Sequence, residues 1–412
     1  MLKAGALYFA IVMAFFIAII TASLIMLAAH FRTSYLKEVR YARLLNNLNS
    51  GIGYVLADQD TSKPKLAVDL FKNQSDSVLL ERKNWGVYNL AVVKSHILGD
   101  TISKVFFTGI KTDKDPDVLY LSDEDRPLSV SGNTRLTGDA ALPKAGIKQS
   151  YAEGKPYTGD KKLIDGKNTS SKRTLKGLNS NMVKEIQARF KPAVKPLQVL
   201  NVSKLSVSFK DSTRTFKLLP GSKIDSELEG NIILVSDTSV TISATAKLNH
   251  IQIYAHSVAV ESGFKGNCQI FARDSVVVGE NVRFDYPSVV GVLRTIGTAN
   301  QPSVTFGKGL QFNGIVFTYE EKRSAMQTLI SLSKESHLNG EVYSTGLIKV
   351  QKGVSIAGKV SCNRFIMQTP VTLYENFLID VVFNRKARSK YYLSAGLFEG
   401  QAKEKEVLQW LR

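Results

Sequence analysis

The sequence is poor in the residues that most often bind metals or form disulfides. Its 412 residues include two cysteines and five histidines. Cys268 and Cys362 lie far apart and lack the spacing of a zinc site, so we predict two buried free thiols. His250 and His256 are close in sequence, but no cysteine or carboxylate accompanies them at ligand spacing, which favours a surface role. We therefore predict no metal site and no cofactor.

The sequence also lacks the short motifs by which many enzymes are recognised. It has no phosphate-binding glycine loop, no nucleophile elbow and no zinc-binding histidine pair on a helix. An enzyme acting on acidic polysaccharide would need clustered carboxylates for acid–base chemistry or calcium. The candidate aspartates do not recur in register: Asp225, Asp237, Asp274 and Asp285. We expect no catalytic residues and a protein that is not an enzyme.

Proline is absent before Pro64, and charge is absent from residues 4 to 29. An uncharged run of this length exceeds the roughly 20 residues with which a helix crosses a bilayer, and it is too long for the core of a cleaved signal peptide. Apolar residues then continue at helical spacing: Tyr41, Leu44, Leu48, Ile52 and Val55. We predict a retained transmembrane helix that continues as an amphipathic helix within residues 1–60, with Gly51 and Gly53 at its fraying end.

What the sequence does contain is a repeat with a period of 18 residues. The run Ser239-Val240-Thr241-Ile242 recurs at 257–260 and 275–278, and after a longer interval at 303–306. Each unit carries two short β-branched runs separated by turn residues such as Asn249. This pattern predicts a parallel β-helix of about 18 residues per coil, in which Val240, Val258 and Val276 form one inward column. An antiparallel β-sandwich with accidental spacing remains the alternative.

A second phrase keeps the same register, as Asn313-Gly314-Ile315-Val316, then 339–342 and 357–360. Two longer intervals predict loops inserted into the coils, at Tyr286 to Thr295 and at Thr318 to Arg323. Lys204 to Val207 lies two periods before Val240, so we expect the β-helix to begin there.

The remaining segments complete a mainly β chain with a long N-terminal helix. Residues 61–140 predict an antiparallel β or α+β head, because short strands alternate with turn residues. Residues 141–198 form a basic connector rich in Gly, Lys and Ser, with a short helix at 180–192. The β-helix occupies residues 199–370. Residues 371–412 predict a C-terminal cap over its open end, including a helix from Lys403 to Leu411.

Positive charge is in excess, with 54 Lys and Arg against 36 Asp and Glu, for a net charge of +18. The excess is concentrated between residues 141 and 200, where 13 basic residues stand against four acidic ones. We expect a solvated linker and contact with an acidic surface, either anionic lipid or polysaccharide. Few aromatic residues accompany the lysines, so nucleic acid is not the expected partner.

The N-terminus resembles that of minor pseudopilins and pilus-assembly prepilins of Gram-negative bacteria. Lys3-Ala4-Gly5 is followed directly by the apolar run Ala6 to Val12. The resemblance covers about 60 residues and implies cleavage after Gly5, an inner-membrane helix and a head domain in the periplasm. Ala10 stands where most members have glutamate. Arg32, Lys37, Arg40 and Arg43 follow the apolar run, and charge counting alone would place the large domain in the cytoplasm. An ordinary signal-anchor is the alternative.

The Asn/Ala-Gly-x-Val phrases are similar to those of bactofilins, the bacterial β-helix scaffolds, over about 170 residues. Three hypotheses follow. The first is a non-enzymatic envelope protein anchored in the inner membrane, a component of a pilus or secretion-type assembly whose β-helix contacts proteins or serves adhesion. The second is a bactofilin-like cytoskeletal scaffold facing the cytoplasm. The third is a β-helix protein that binds or processes anionic glycan.

Overall fold

The computed structural model describes residues 4–58, 64–69, 76–191, 196–295, 300–368, 372–399 and 404–412. The chain is mainly β with a long N-terminal helix, as predicted. It divides into two compact units, residues Met1–Arg82 with Ala91–Lys104, and Lys83–Leu90 with Val105–Arg412. The predicted leader residues up to Lys3 lie outside the described residues.

The helices are α1 Ala4–Ala57 and α2 Ser180–Ala188. The first ten strands are β1 Lys65–Val68, β2 Asp76–Trp85, β3 Tyr88–Ile97, β4 Asp100–Lys111, β5 Asp117–Leu121, β6 Leu128–Ser131, β7 Arg135–Thr137, β8 Asp139–Leu142, β9 Ile147–Gln149 and β10 Asn168–Ser170. The next ten are β11 Gln198–Val199, β12 Lys204–Val207, β13 Arg214–Lys217, β14 Lys223–Ile224, β15 Glu227–Gly230, β16 Ile232–Val235, β17 Ser239–Ile242, β18 Lys247–Val260, β19 Lys265–Val278 and β20 Arg283–Leu293. The last ten are β21 Ser303–Phe306, β22 Gln311–Tyr319, β23 Leu329–Leu332, β24 His337–Val350, β25 Ser355–Gln368, β26 Leu373–Glu375, β27 Phe377–Ile379, β28 Val382–Asn384, β29 Leu393–Ser394 and β30 Lys405–Leu411.

The helix α1 has 54 residues and is about 80 Å long. By length and composition it is apolar enough to cross a membrane. Gly51 does not mark a fraying end, because the helix continues to Ala57. A Cβ at Gly51 would lie 2.6 Å from Val78 of β2 and 2.9 Å from Val93 of β3. The glycine therefore lets the helix approach these strands closely.

Polar contacts hold the same stretch of α1 within the first unit. Arg43 forms an ion pair of 2.6 Å with Asp76, which is buried, and Asn47 donates a hydrogen bond of 3.0 Å to the same carboxylate. Arg40 pairs with Asp100 at 2.8 Å. In this unit β1 pairs antiparallel with β2.

The second unit contains the predicted parallel β-helix, and the inward column is confirmed. Val240 pairs with Val258, and Val258 pairs with Val276. The column continues through Val304, Ile330, Ile348 and Phe365. All of these side chains are at most 2% exposed. Burying each Val or Ile stabilises the fold by about 1.5–3 kcal/mol. A single coil cannot bury these side chains, so its stability depends on stacking against its neighbours.

Each coil has three strand segments rather than the two that the sequence suggested. Lys247–Val260 is one long strand with register shifts at Asn249/Ile251 and at Ala255/Ser257. His250 and His256 occupy these two corners, and His250 has a φ of 59°. The two histidines therefore lie at different corners of one coil. Asn249 belongs to a strand and pairs with Asn267, so it is not a turn residue.

The β-helix begins with β11, as β11 pairs with β13. Lys204–Val207 is the next strand, β12, but it lies on a different face from Val240: β12 pairs with β15, which pairs with β18 at Lys247. Two periods in sequence therefore do not correspond to two steps of one column, because the first coils have other lengths.

The other end of the stack is completed by residues that precede the β-helix in sequence. Strand β5 pairs in parallel with β25, β8 pairs with β5, and β10 pairs with β8. On the next face β28 pairs with β25 and β7 pairs with β28. A third parallel sheet has the order β27-β6-β9. Residues 117–170, assigned above to the head and connector, thus form coils beyond β25.

Three further predictions need correction. The tail from Lys405 to Leu411 is a strand, not a helix, because it pairs antiparallel with the edge of β4. The zone Tyr286 to Thr295 is mostly strand β20: two of the extra residues form a bulge between Phe284 and Val289, and the others follow the strand, before Ser303. The second insertion is confirmed but shifted, since β22 ends at Tyr319 and β23 begins at Leu329. The short helix at 180–192 is confirmed as α2.

Candidate functional site

A cavity of about 230 Å³ lies against one face of the β-helix in the second unit. Its floor is formed by the neighbouring strands β24 and β25. In the register of these two strands, Glu341 lies beside Lys359 and Tyr343 lies beside Ser361. The walls come from distant stretches of sequence, residues 112–120, 175–177 and 398–399.

The floor carries two buried charges of opposite sign on successive coils. Glu341 is 5% exposed, and the side chain of Lys359 on the next coil is 19% exposed. Ser394 donates a hydrogen bond of 2.5 Å to Glu341, and Arg388 lies 3.5 Å from the same carboxylate. Lys359 forms ion pairs of 2.9 Å with both Asp115 and Asp117. Each buried charge therefore has a partner, as burial in a protein requires.

Burial and pairing act on the pKa values of these groups in different directions. Burial raises the pKa of Glu341, and the nearby Arg388 only partly opposes this. Burial alone would also raise the pKa of Asp115, but the charge and hydrogen bond of Lys359, the backbone N–H of Asp117 and the charge of Arg385 together lower it. Burial would lower the pKa of Lys359, yet Asp115 and Asp117 hold it above its usual value. Lys359 and Asp115 therefore stay charged at neutral pH.

The network joins the 385–395 segment to the β-helix. Arg388 is 2% exposed at its side chain, lies 4.4 Å from the ring centroid of Tyr392 and donates to Thr112. Tyr392 in turn packs on Tyr286, with ring centroids 5.3 Å apart. Arg388 thus attaches this segment both to β24, through Glu341, and to Thr112.

Chemically, the cavity offers charged, hydroxyl and aromatic groups to a polar ligand. Asp115 and Glu341 are engaged by Lys359, Arg388 and Ser394, whereas Glu399 is exposed at the rim. The cavity also has an aromatic side, where Tyr343 of the floor packs against Phe398 of the wall with ring centroids 5.8 Å apart.

The residues singled out from the sequence lie elsewhere. Cys268 and Cys362 are buried free thiols, as predicted. His250 is mostly buried, which contradicts the predicted surface role: its ring lies 6.0 Å from that of Phe107, and its Nε2 is 3.0 Å from Nε2 of Gln409. Burial lowers its pKa. Among the described residues, no group of three or more His, Cys, Asp or Glu side chains is placed to hold a metal ion.

Sequence reasoning missed Glu341 and Lys359, although a pattern marked them. They occupy the variable position of the Asn/Ala-Gly-x-Val phrase, where the preceding coil has Ile315. The change at this repeated position from Ile315 to Glu341 and then to Lys359 indicates that these side chains do not point into the apolar core of the β-helix. Their partners could not be found in this way, because Asp115 and Arg388 lie more than 200 and 40 residues away in sequence.

No protein-family description and no curated protein match the chain. Among solved structures, the competence-associated pilin ComZ from Thermus thermophilus is 10% identical, with 85% of this chain and 88% of that chain covered and a TM-score of 0.29. A score of 0.29 is too low to indicate a common overall fold.

Proposed function

We propose that this chain is a non-enzymatic structural protein of the bacterial cell envelope, anchored in the inner membrane by α1. The supporting observation is the contrast along this helix. Leu7, Phe9 and Ile11 are each more than 60% exposed, whereas Leu44 and Leu48 are 2% exposed. Exposed apolar surface costs about 25 cal/mol per Å² in water, and a bilayer removes this cost over the uncharged part of the helix.

The large domain lies in the periplasm and serves a pilus-like or secretion-type assembly through protein contacts or adhesion. A helix that leaves the membrane and packs into the first compact unit joins that unit directly to the anchor. Two inserted loops of the β-helix also brace each other. Arg294 donates to Ser324 and to the carbonyl of Met326, and Gln301 donates to the carbonyl of Gln327 at 2.9 Å. Loops positioned by a rigid scaffold are common sites of recognition.

The bactofilin-like alternative predicts a cytoplasmic domain and end-to-end stacking of β-helices. Such stacking would bring the lysine-rich coil at residues 144–172 to the coil that starts at residue 198. That first coil carries Lys210 and Arg214, which are exposed and form no ion pair with a described residue, whereas Lys204 pairs with Glu227 at 2.7 Å. Like charges at both ends oppose this contact, most strongly at low salt.

The proposal is tested by fusing alkaline phosphatase and, separately, green fluorescent protein after Arg412. We expect active phosphatase, no fluorescence and retention of the full chain in carbonate-washed membranes. Fluorescence without phosphatase activity would contradict the periplasmic placement and favour the cytoplasmic scaffold. Release of the chain by carbonate would contradict the anchor itself. Because each reporter is active on only one side of the membrane, the two fusions control for the expression of each other.

A further inference from the structure

The last coil of the stack is made by the basic segment that the sequence suggested was a linker. We call residues 144–172 the terminal coil. Strand β9 pairs with β6, and β10 pairs with β8. Between them, isolated bridges join Tyr157 to Gly132 and Asp165 to Thr137. The lysines of this segment are therefore displayed on an ordered surface rather than on a flexible chain.

Most of the positive charge on this surface is uncompensated. Six exposed lysines form no ion pair with a described residue: Lys144, Lys148, Lys161, Lys162, Lys167 and Lys172. The local acids are largely engaged from outside the coil. Glu153 pairs with Lys352, and Asp165 pairs with Lys386 at 2.8 Å. A surface of six unpaired ammonium groups attracts an anionic partner.

One exposed aromatic side chain accompanies the lysines. Tyr151 is 68% exposed and stands next to a tight turn closed by two hydrogen bonds between Ala152 and Lys155. The central residues of the turn, Glu153 and Gly154, have φ values of 51° and 74°. The ion pair of Lys155 with Asp380 at 2.8 Å adds a further attachment to the coil above. The tyrosine is thus presented from a fixed backbone.

These features distinguish between classes of anionic partner. The six cations are all lysines, which act as hydrated point charges and do not form the planar, bidentate contacts of arginine. Within the described part of residues 141–172, Tyr151 is the sole large apolar side chain that is strongly exposed, so little could insert into lipid. Single-stranded nucleic acid needs several stacking aromatics. A sugar ring, by contrast, can lie on one tyrosine while spaced carboxylates meet the lysines.

We propose that the terminal coil binds an anionic polysaccharide, with the six lysines contacting its acidic groups and Tyr151 packing against a sugar ring. The choice of polysaccharide rests partly on the proposed envelope location, where such polymers are abundant. This interaction would attach the free end of the β-helix to the surrounding wall material, while α1 holds the chain in the membrane.

The test uses the full-length chain in detergent and immobilised polygalacturonate, with neutral dextran as the blank. One variant replaces the six lysines of the terminal coil by glutamine. The matched control replaces six exposed lysines elsewhere, with the same change in net charge: Lys184, Lys210, Lys265, Lys322, Lys334 and Lys390. We expect at least tenfold weaker binding for the first variant and less than threefold for the control. Circular dichroism checks that both variants keep the wild-type fold.

A second pair of variants separates sugar contact from charge alone. Tyr151→Ala is expected to weaken binding by roughly threefold to tenfold, as for the loss of one aromatic contact, without changing its dependence on salt. Tyr391→Ala, at a site that is 91% exposed, is the control and should bind as wild type. An unchanged affinity for Tyr151→Ala would contradict the proposed sugar contact.

Competition decides the class of partner. Equal losses in the two six-lysine variants would overturn the assignment to the terminal coil. Tighter binding to duplex DNA or to phosphatidylglycerol vesicles than to polygalacturonate would overturn polysaccharide as the partner. A cytoplasmic result in the reporter experiment would refute the envelope location but leave these binding measurements intact, so the two proposals fail separately.

Discussion

Gly340→Ala is expected to damage the β-helix severely, because the backbone of one coil occupies the space that a side chain on the next would need. Gly314, Gly340 and Gly358 lie at equivalent positions of three successive coils. Their φ values are 144°, 147° and 158°. A Cβ on Gly340 would overlap the carbonyl oxygen of Gly314 and would meet the Tyr392 hydroxyl at 3.1 Å.

The cost can be estimated from three contributions. A residue other than glycine held in this part of φ space costs about 1–3 kcal/mol. Relieving the overlap by moving the coils apart costs about 1–3 kcal/mol in packing. Each weakened hydrogen bond between coils adds about 1 kcal/mol, and Tyr392 would lose its contact with the Gly314 carbonyl. The sum, about 3–7 kcal/mol, is a large fraction of the 5–15 kcal/mol by which domains are typically stable.

Thermal unfolding of the full-length chain in detergent, followed by circular dichroism, measures this effect. We expect the Tm of Gly340→Ala to fall by roughly 10–20 °C. Gly353→Ala is the matched control, since Gly353 also has a positive φ, of 79°, but the nearest atom to its added Cβ is 3.8 Å away. The control should cost only about 1–2 kcal/mol for backbone strain. Equal Tm values for the two variants would refute the argument from coil contact.

Two further predictions concern buried titratable groups. Burial raises the pKa of Cys268 to about 12 and raises that of Cys362, so neither thiol should react with a disulfide reagent at pH 8 until the chain is denatured; rapid labelling of the native chain would contradict this. Burial lowers the pKa of His250, so the folded chain keeps it neutral while the unfolded chain gains a proton below about pH 6.5. The stability that neutral His250 contributes is therefore present above that pH and is lost as pH falls towards its folded pKa. The Tm advantage of wild type over His250→Asn, in which asparagine tolerates the left-handed backbone, should shrink between pH 7.5 and pH 5; a constant difference would exclude this linkage.

The elements that could be predicted from the sequence are those whose pattern is local or repeated. Residues 4 to 29 form an apolar run without charge or proline that is long enough to cross a bilayer, and this length and composition predict a helix. The recurrence of Val240 at Val258 and Val276 specified both the β-helix and the direction of these side chains, because in-register stacking requires one side-chain position to repeat in every coil. The Asn/Ala-Gly-x-Val phrase likewise marked the repeated glycines Gly314, Gly340 and Gly358. The close approach of successive coils that requires glycine at these positions appeared only in the structure.

The candidate site could not be predicted in the same way. Glu341 and Lys359 stand in a recognisable column, but their partners Asp115 and Arg388 come from remote segments without any repeat. No spacing rule connects residues that meet only because separate segments pack on one face of the β-helix.

Local patterns also misled where tertiary contacts overrode them. Lys405–Leu411 has residues compatible with a helix, yet it is a strand because the edge of β4 offers unpaired backbone groups. Residues 144–172 have the composition of a linker, yet they form a coil because the end of the stack offers the same kind of edge. The sequence alone determined the apolar rod and the period of the coils, since both depend on neighbours in the chain. The tertiary structure decided how the stack ends and which charges meet, since an exposed strand edge will pair with whichever segment the fold brings to it.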